Sequence, residues 1–138
     1  MSPLLDVSNM RVRYRTAGRL ASVVKRMDDP FIDAVCDVSF SLEAGQTLGL
    51  VGFGTIARNV AKRLSGFDMT VLVSDPFVPA DAIAKQGYCA AELDELLAQS
   101  DFLLLHCPLT DDTHRLIRDR ELGLMKPRGV LINTSRGP

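Results

Sequence analysis

Several features that mark specialised protein classes are missing from these 138 residues. No charge of one sign prevails: the formal net charge is −1, with 24% charged residues. Nothing therefore pulls the chain as a whole toward nucleic acid or an anionic membrane. No apolar run approaches the ~18 residues of a membrane span, so membrane insertion is not expected. The opening Met1-Ser2-Pro3-Leu4-Leu5-Asp6 has no charged segment followed by an apolar one, and no secretory signal is apparent. Cysteine is scarce and odd in number (Cys36, Cys89, Cys107), without C-x-x-C or histidine-paired spacing. That argues against a disulfide scaffold and against a metal site, and makes a reduced, cytoplasmic setting the expectation. Repeats and low-complexity tracts are absent as well. The length suits one domain or one and a fraction, too little for a large two-domain enzyme.

What is present is an ordinary globular composition, 46% hydrophobic, with a change of texture partway along. Residues 1–30 hold six Lys/Arg against three Asp/Glu, whereas residues 31–138 hold ten against fourteen. Residues 4–15 read as a strand in which Met10, Val12 and Tyr14 alternate with Arg11, Arg13 and Arg15. Residues 20–27 are weakly helical, and residues 32–42 form a second β-type stretch ending at the turn Glu43-Ala44-Gly45-Gln46. The basic stripe of Arg11, Arg13, Arg15, Arg19, Lys25 and Arg26 reads as a solvated face, because aromatic interleaving is almost absent.

From Thr47 the pattern becomes strand–helix alternation. Residues 47–51, 70–74, 102–106 and 130–133 are short apolar runs without alternation, as expected of parallel strands covered on both faces. Helices are expected over residues 55–65 (stripe Ile56, Val60, Leu64, with Ala57 and Ala61 beside it, stopped by Gly66), 80–86, 91–99 and 118–125. Such alternation predicts an α/β fold: a Rossmann-like parallel sheet, here partial, with an N-terminal antiparallel β extension. The domain boundaries that follow are 1–46 for the β segment and 47–138 for the sheet.

Between the first two of those strands, Gly52-Phe53-Gly54-Thr55-Ile56-Ala57 fits G-x-G-x-x-G/A. Gly52 permits a tight strand-to-helix turn, Gly54 lets a pyrophosphate approach the backbone, and the small Ala57 allows helix and strand to pack closely. The helix that follows offers free N–H groups and a positive dipole end to phosphates. Asp75 ends the second strand 23 residues after Gly52, where an acid accepts hydrogen bonds from an adenosine ribose. A carboxylate there repels a 2′-phosphate, which favours NAD over NADP as cofactor.

These motifs, with Ser74-Asp75-Pro76, His106-Cys107-Pro108-Leu109-Thr110 and the Met125-Lys126-Pro127-Arg128-Gly129-Val130-Leu131-Ile132-Asn133-Thr134-Ser135-Arg136-Gly137 stretch, resemble the NAD-binding domain of D-isomer-specific 2-hydroxyacid dehydrogenases over about residues 45–138. The resemblance implies that Thr55 and Ile56 line the pyrophosphate, and that Asp75, with Pro76, takes the ribose. It places His106, Cys107, Pro108 and Thr113 along the adenosine and nicotinamide ribose side, with Thr134 and Ser135 nearing the nicotinamide. Arg136 matches the family arginine that holds a substrate carboxylate, a bidentate task suited to guanidinium, and is read here as a vestige of the catalytic set. The family's general-base histidine, its partner glutamate and its substrate domain have no match in these residues; His106 belongs to the cofactor segment, and His114 lies in a polar loop. In the family, position 55 is usually Arg or Lys and position 57 Gly, so Thr55 and Ala57 depart from its pattern.

Residues 1–52 resemble a second family, the opening of the ATP-binding subunit of peptide-type ABC transporters. The matching text runs from Leu4-Leu5-Asp6-Val7 to Val12-Arg13-Tyr14, then from Asp33 to Gly52. The resemblance implies antiparallel strands and an adenine-stacking role for Tyr14. The following residues lack the phosphate-loop lysine and the magnesium-binding hydroxyl of G-x-x-x-x-G-K-[ST], so ATP hydrolysis is not expected. Together the two resemblances imply a chimera joined near residues 45–52. The expected function is an NAD-binding module without turnover; the alternatives are a dehydrogenase completed by a partner and a folded recombination product with no evolved function. An exposed sheet edge at residues 130–133 is a liability, and a homodimer is expected to cover it.

Overall fold

The computed structural model describes residues 3–15 and 31–135. The helix expected over residues 20–27 lies outside the described residues, as does Arg136. The chain divides into two compact units, Met1–Glu43 and Ala44–Pro138.

The first unit is a two-stranded antiparallel ladder of β1 (Leu5–Arg15) and β2 (Phe31–Leu42). Its strands are β-branched and aromatic enough to extend, and Leu5 pairs with Leu42, Val12 with Val35, and Arg15 with Phe31. The strict alternation read from Met10 to Tyr14 does not survive. The register slips between Val7 and Met10, again before Val12, and again before Arg13. Asn9 and Asp37 adopt left-handed backbone conformations at φ 52° and 54°, as bulges commonly require. Among the described residues the ladder is largely open: Met10, Tyr14, Ile32 and Val38 are exposed, Val7, Val12, Val35 and Phe40 are half-buried, and Arg13 pairs with Asp33 at 2.6 Å.

The second unit is a five-stranded, wholly parallel sheet in the order β5-β4-β3-β6-β7. Its strands are β3 (Thr47–Val51), β4 (Thr70–Ser74), β5 (Cys89–Ala90), β6 (Phe102–Leu105) and β7 (Val130–Asn133). The helices are α1 (Thr55–Leu64), α2 (Ala80–Ala84), α3 (Leu93–Gln99) and α4 (Asp119–Leu124). This is the expected Rossmann-like α/β fold, with an antiparallel β extension before it. β5 was not legible, since two residues carry no periodicity.

β3 is the centre of the core. Leu48, Leu50 and Val51 are almost completely buried, and because successive residues point to opposite faces, both faces must be covered. On one face Val51 joins Leu72, Leu103 and Leu105 with Leu96 and Leu97 of α3. Gly49 makes that packing possible. A Cβ on Gly49 would stand 2.1 Å from Ser100 Oγ and 2.7 Å from Leu96 Cδ2. Ser100 is fully buried and its hydroxyl donates to the Leu96 carbonyl at 2.6 Å. The other end of the strand is fixed by Asp101, whose carboxylate accepts the Thr47 N–H and the Lys126 ammonium, each at 2.8 Å.

One local expectation needs correction and another needs sharpening. The buried stripe of α1 is Ala57 and Ala61, both fully buried, while Ile56 is 66% exposed. Close helix–strand approach selects the small residues for the inside and leaves Ile56 at the helix's free amino end. The helix does end just before Gly66, at Leu64 with Ser65 as its cap, but Gly66 lies within a 3-10 turn (Ser65–Phe67) and the left-handed residue is Asp68, at φ 50°. A short polar side chain tolerates that conformation.

Candidate functional site

All strands of the sheet run parallel, so their carboxyl ends meet at one edge. The strand order reverses direction between β3 and β6, and in open α/β sheets ligands bind in the crevice outside the carboxyl ends at that switch point. The predicted site residues collect there.

The first wall is the turn from β3 into α1. Gly52 has φ +87° and donates its N–H to the Ser74 carbonyl at 2.9 Å. A Cβ on it would meet Cys107 N at 2.9 Å, so glycine is needed both for the backbone conformation and for the close passage of residues 106–107. Phe53 is buried and donates its N–H to Asp75 Oδ2 at 2.7 Å. Asp75 Oδ1 accepts the Phe77 N–H at 2.8 Å, closing a turn around Pro76. Asp75 is thus a clamp on the glycine turn, a role that its strand-end position did not announce. Each of its oxygens accepts one N–H and keeps a further lone pair.

Gly54 caps α1 in an extended conformation, with open space where a Cβ would stand. No side chain caps this helix and no acid lies in its first turn. The first helical hydrogen bond runs from the Arg58 N–H to the Gly54 carbonyl at 3.1 Å. Thr55, Ile56 and Ala57 therefore have no helical carbonyl for their N–H groups. An open glycine, uncapped amides and the positive end of a helix dipole fit an anionic phosphate.

The second wall comes from the ends of β6 and β7. The His106 N–H extends the ladder by donating to the Val51 carbonyl at 2.9 Å. Its ring Nδ1 meets Thr134 Oγ1 at 3.0 Å, tying the ends of β6 and β7 together. His106 Nε2 is buried without a partner, and burial pushes the imidazole below its ordinary pKa, toward the neutral form. Burial, together with the Asp75 charge, pushes the Cys107 thiol above its ordinary value despite an opposing backbone hydrogen bond. Both influences favour the protonated thiol in this lining position. Asn133 Oδ1 accepts both the backbone N–H and the hydroxyl of Ser135, at 2.9 and 2.8 Å, which shapes the chain as it leaves β7.

Between the walls lies a cleft of about 630 Å³ lined by Ile56, His106, Cys107, Pro108, Leu109, Thr134 and Ser135, within the size range of small-molecule and cofactor sites. Six of the predicted site residues line it; Leu109 is an addition. Thr113 lines a smaller neighbouring cavity of about 200 Å³ together with Cys107, Pro108 and Ser135. Its hydroxyl is engaged locally, at 2.5 Å from the Pro108 carbonyl and 2.8 Å from the Thr110 N–H. Among the described residues no group of three or more His, Cys, Asp or Glu could hold a metal ion. No described helix is long and apolar enough to cross a membrane. An apolar-walled cleft with an orphaned imidazole nitrogen, adjoining a phosphate-type helix terminus, fits a dinucleotide.

Comparison with known proteins agrees. Residues 33–138 match the family model of the D-isomer specific 2-hydroxyacid dehydrogenase, NAD binding domain. The chain is 51% identical over 94 residues to (S)-sulfolactate dehydrogenase of Chromohalobacter salexigens, covering 67% of this chain and 30% of that protein. It is 40% identical over 125 residues to 2-hydroxyacid dehydrogenase A of Aspergillus oryzae, covering 86% and 35%. The NAD complexed form of a D-isomer specific 2-hydroxyacid dehydrogenase from Lactobacillus delbrueckii superposes with a TM-score of 0.61 at 30% identity, covering 67% of this chain and 27% of that one. The chain spans roughly a third of the length of these relatives. It belongs to the family of D-isomer specific 2-hydroxyacid dehydrogenase NAD-binding domains, whose cofactor is NAD.

Proposed function

We propose that these residues act as an NAD(H)-binding module that does not itself turn over a 2-hydroxy acid. The observation that carries this reading is the state of the one imidazole in the cleft. His106 is tied to Thr134 at Nδ1, buried at Nε2 and pushed toward neutrality. Hydride transfer to or from a 2-hydroxy acid needs an acid/base at the reacting carbon, and His106 is engaged in joining two strands. In this reading the amides of Thr55 and Ile56 receive the pyrophosphate beside Gly52 and Gly54, and Asp75 with Pro76 takes the adenosine ribose. The nicotinamide end lies in the cleft beside Cys107, Pro108, Thr134 and Ser135, with Thr113 behind them. The Asp75 carboxylate disfavours a 2′-phosphate, so NAD binds more tightly than NADP. Bound NAD supplies a hydride-accepting ring; orienting it is the work of this chain. Calorimetry with NAD, NADP, ADP and ATP tests the reading, and absence of heat with either nicotinamide dinucleotide would sink it.

A second reading is favoured by the relatives, which are named as dehydrogenases and of which the matched residues make up about a third. Here the site is completed by a partner chain or another subunit, and Arg136 holds the substrate carboxylate. NAD-dependent turnover of 2-hydroxy or 2-keto acids appearing only with a partner supports it.

We also propose that the hairpin unit has a separate, ABC-type origin. In support, β1 and β2 form a compact unit ending at Glu43, beside the inferred join at residues 45–52. The family match from residue 33 pulls the other way, toward a join within β2. The setting proposed is cytoplasmic. A homodimer is proposed to cover β7, whose Val130, Leu131 and Ile132 are all exposed; solution scattering that gives a monomer contradicts it.

A further inference from the structure

α1 carries three cations, and two of them, Lys62 and Arg63, lie in its last turn, where they suit the negative end of the helix dipole. The third, Arg58, stands at the fourth position. Helical side chains lean toward the amino end, so a long side chain there reaches back over the first turn on the side of Thr55. The structure shows it doing so. Arg58 Nε donates to the Phe53 carbonyl at 3.0 Å, and the guanidinium lies 5.1 Å from the centre of the Phe53 ring. Phe53 cannot yield, because it is fully buried, its other side meets Tyr88 edge-on at 5.8 Å, and its N–H is held by Asp75. A flexible side chain is thereby fixed at two points on the residue between the two glycines. One donor of five is spent on the carbonyl, and Arg58 itself remains exposed.

We propose that Arg58 is a cofactor-binding residue: the Phe53 carbonyl and ring hold its guanidinium at the amino end of α1, where it pairs with the dinucleotide's pyrophosphate. The inference rests on the dinucleotide reading of the cleft and adds the cation to it. Thr55, the first residue of the helix, brings no charge. Guanidinium suits the task because it is planar, permanently charged and able to stack and donate at once.

The test is calorimetric titration of the whole chain and its Arg58→Gln and Arg58→Lys variants with NAD, ADP and adenosine. Circular dichroism of each protein confirms that it is folded. Arg58→Gln is expected to weaken NAD and ADP binding about five- to tenfold, to leave adenosine binding unchanged and to flatten the salt dependence of ADP binding. Arg58→Lys, which keeps the charge but loses the Nε donor and the planar ring contact, is expected to recover part of the loss. Equal affinities of Arg58→Gln and the parent for ADP would overturn the proposal. So would a loss extending equally to adenosine, which marks a collapsed turn, or one that Arg58→Lys leaves unrepaired. If the unaltered chain binds none of the three ligands, the dinucleotide reading itself fails.

Discussion

β1 and β2 are eleven and twelve residues long, yet among their residues whose burial is described only Leu42 is buried; β3 has five residues and buries four. Ladder length is therefore a poor guide to stability. A two-stranded ribbon satisfies its inner backbone groups but has no second layer against which to remove apolar surface from water. β3 has a neighbouring strand on each side and residues buried on both faces. The sequences differ accordingly: Thr47-Leu48-Gly49-Leu50-Val51 is apolar without alternation, whereas β1 and β2 mix Arg, Asp, Ser and Asn with their apolar residues.

The largest effect should come from the strand's one residue without a side chain. Gly49→Ala places a methyl group on Ser100 and Leu96 and should cost about 3 kcal/mol or more, read by urea unfolding and circular dichroism. Leu50→Ala should cost about 2 to 4 kcal/mol through the cavity it leaves. If either variant unfolds like the parent protein, the core does not centre on β3.

Asp101→Asn comes next, at about 1 kcal/mol from weakened charge-assisted bonds. Burial raises the Asp101 pKa, but the Lys126 hydrogen bond, the Thr47 N–H and the Lys126 charge outweigh it and hold it below the ordinary value. A carboxyl whose folded pKa is depressed contributes stability above its unfolded value of about 3.9. That contribution is lost as pH falls through the lower folded value. The parent should therefore lose stability over that acid window, and Asp101→Asn should lose less; parallel pH profiles would show that the pair does not couple to folding. Val38→Ala, in the hairpin, should cost less than about 0.5 kcal/mol. A loss as large as that of Leu50→Ala would mean that the hairpin has a buried face after all.

What could be read in advance follows the same division. Short continuous apolar runs gave β3, β4, β6 and β7 to within a residue; burial on both faces explains the runs at β3 and β6, whereas β7, expected to be covered in the same way, is exposed along its length because it is the edge strand. The glycine turn was readable because Gly52 and Gly54 answer backbone demands that few other residues meet. The hairpin's bulges were not, since the left-handed Asn9 and Asp37 lie within otherwise ordinary strand text. Nor were the clamps Phe53–Asp75 and His106–Thr134 legible: they join residues more than twenty positions apart, and no local period records them. Arg58 carries no sequence signal of its own, because its hold on the Phe53 carbonyl and ring is a contact that only the folded turn creates.

The proposed function assigns the dinucleotide to the second unit alone, and one experiment tests that assignment most directly: mapping backbone amide chemical shifts during titration with NAD. The account predicts perturbations concentrated at Gly52 to Ala57, around Asp75, and at His106 to Leu109, with none in β1 or β2. A map that lights up β1 and β2, or leaves the glycine turn unmoved at saturating NAD, would contradict it.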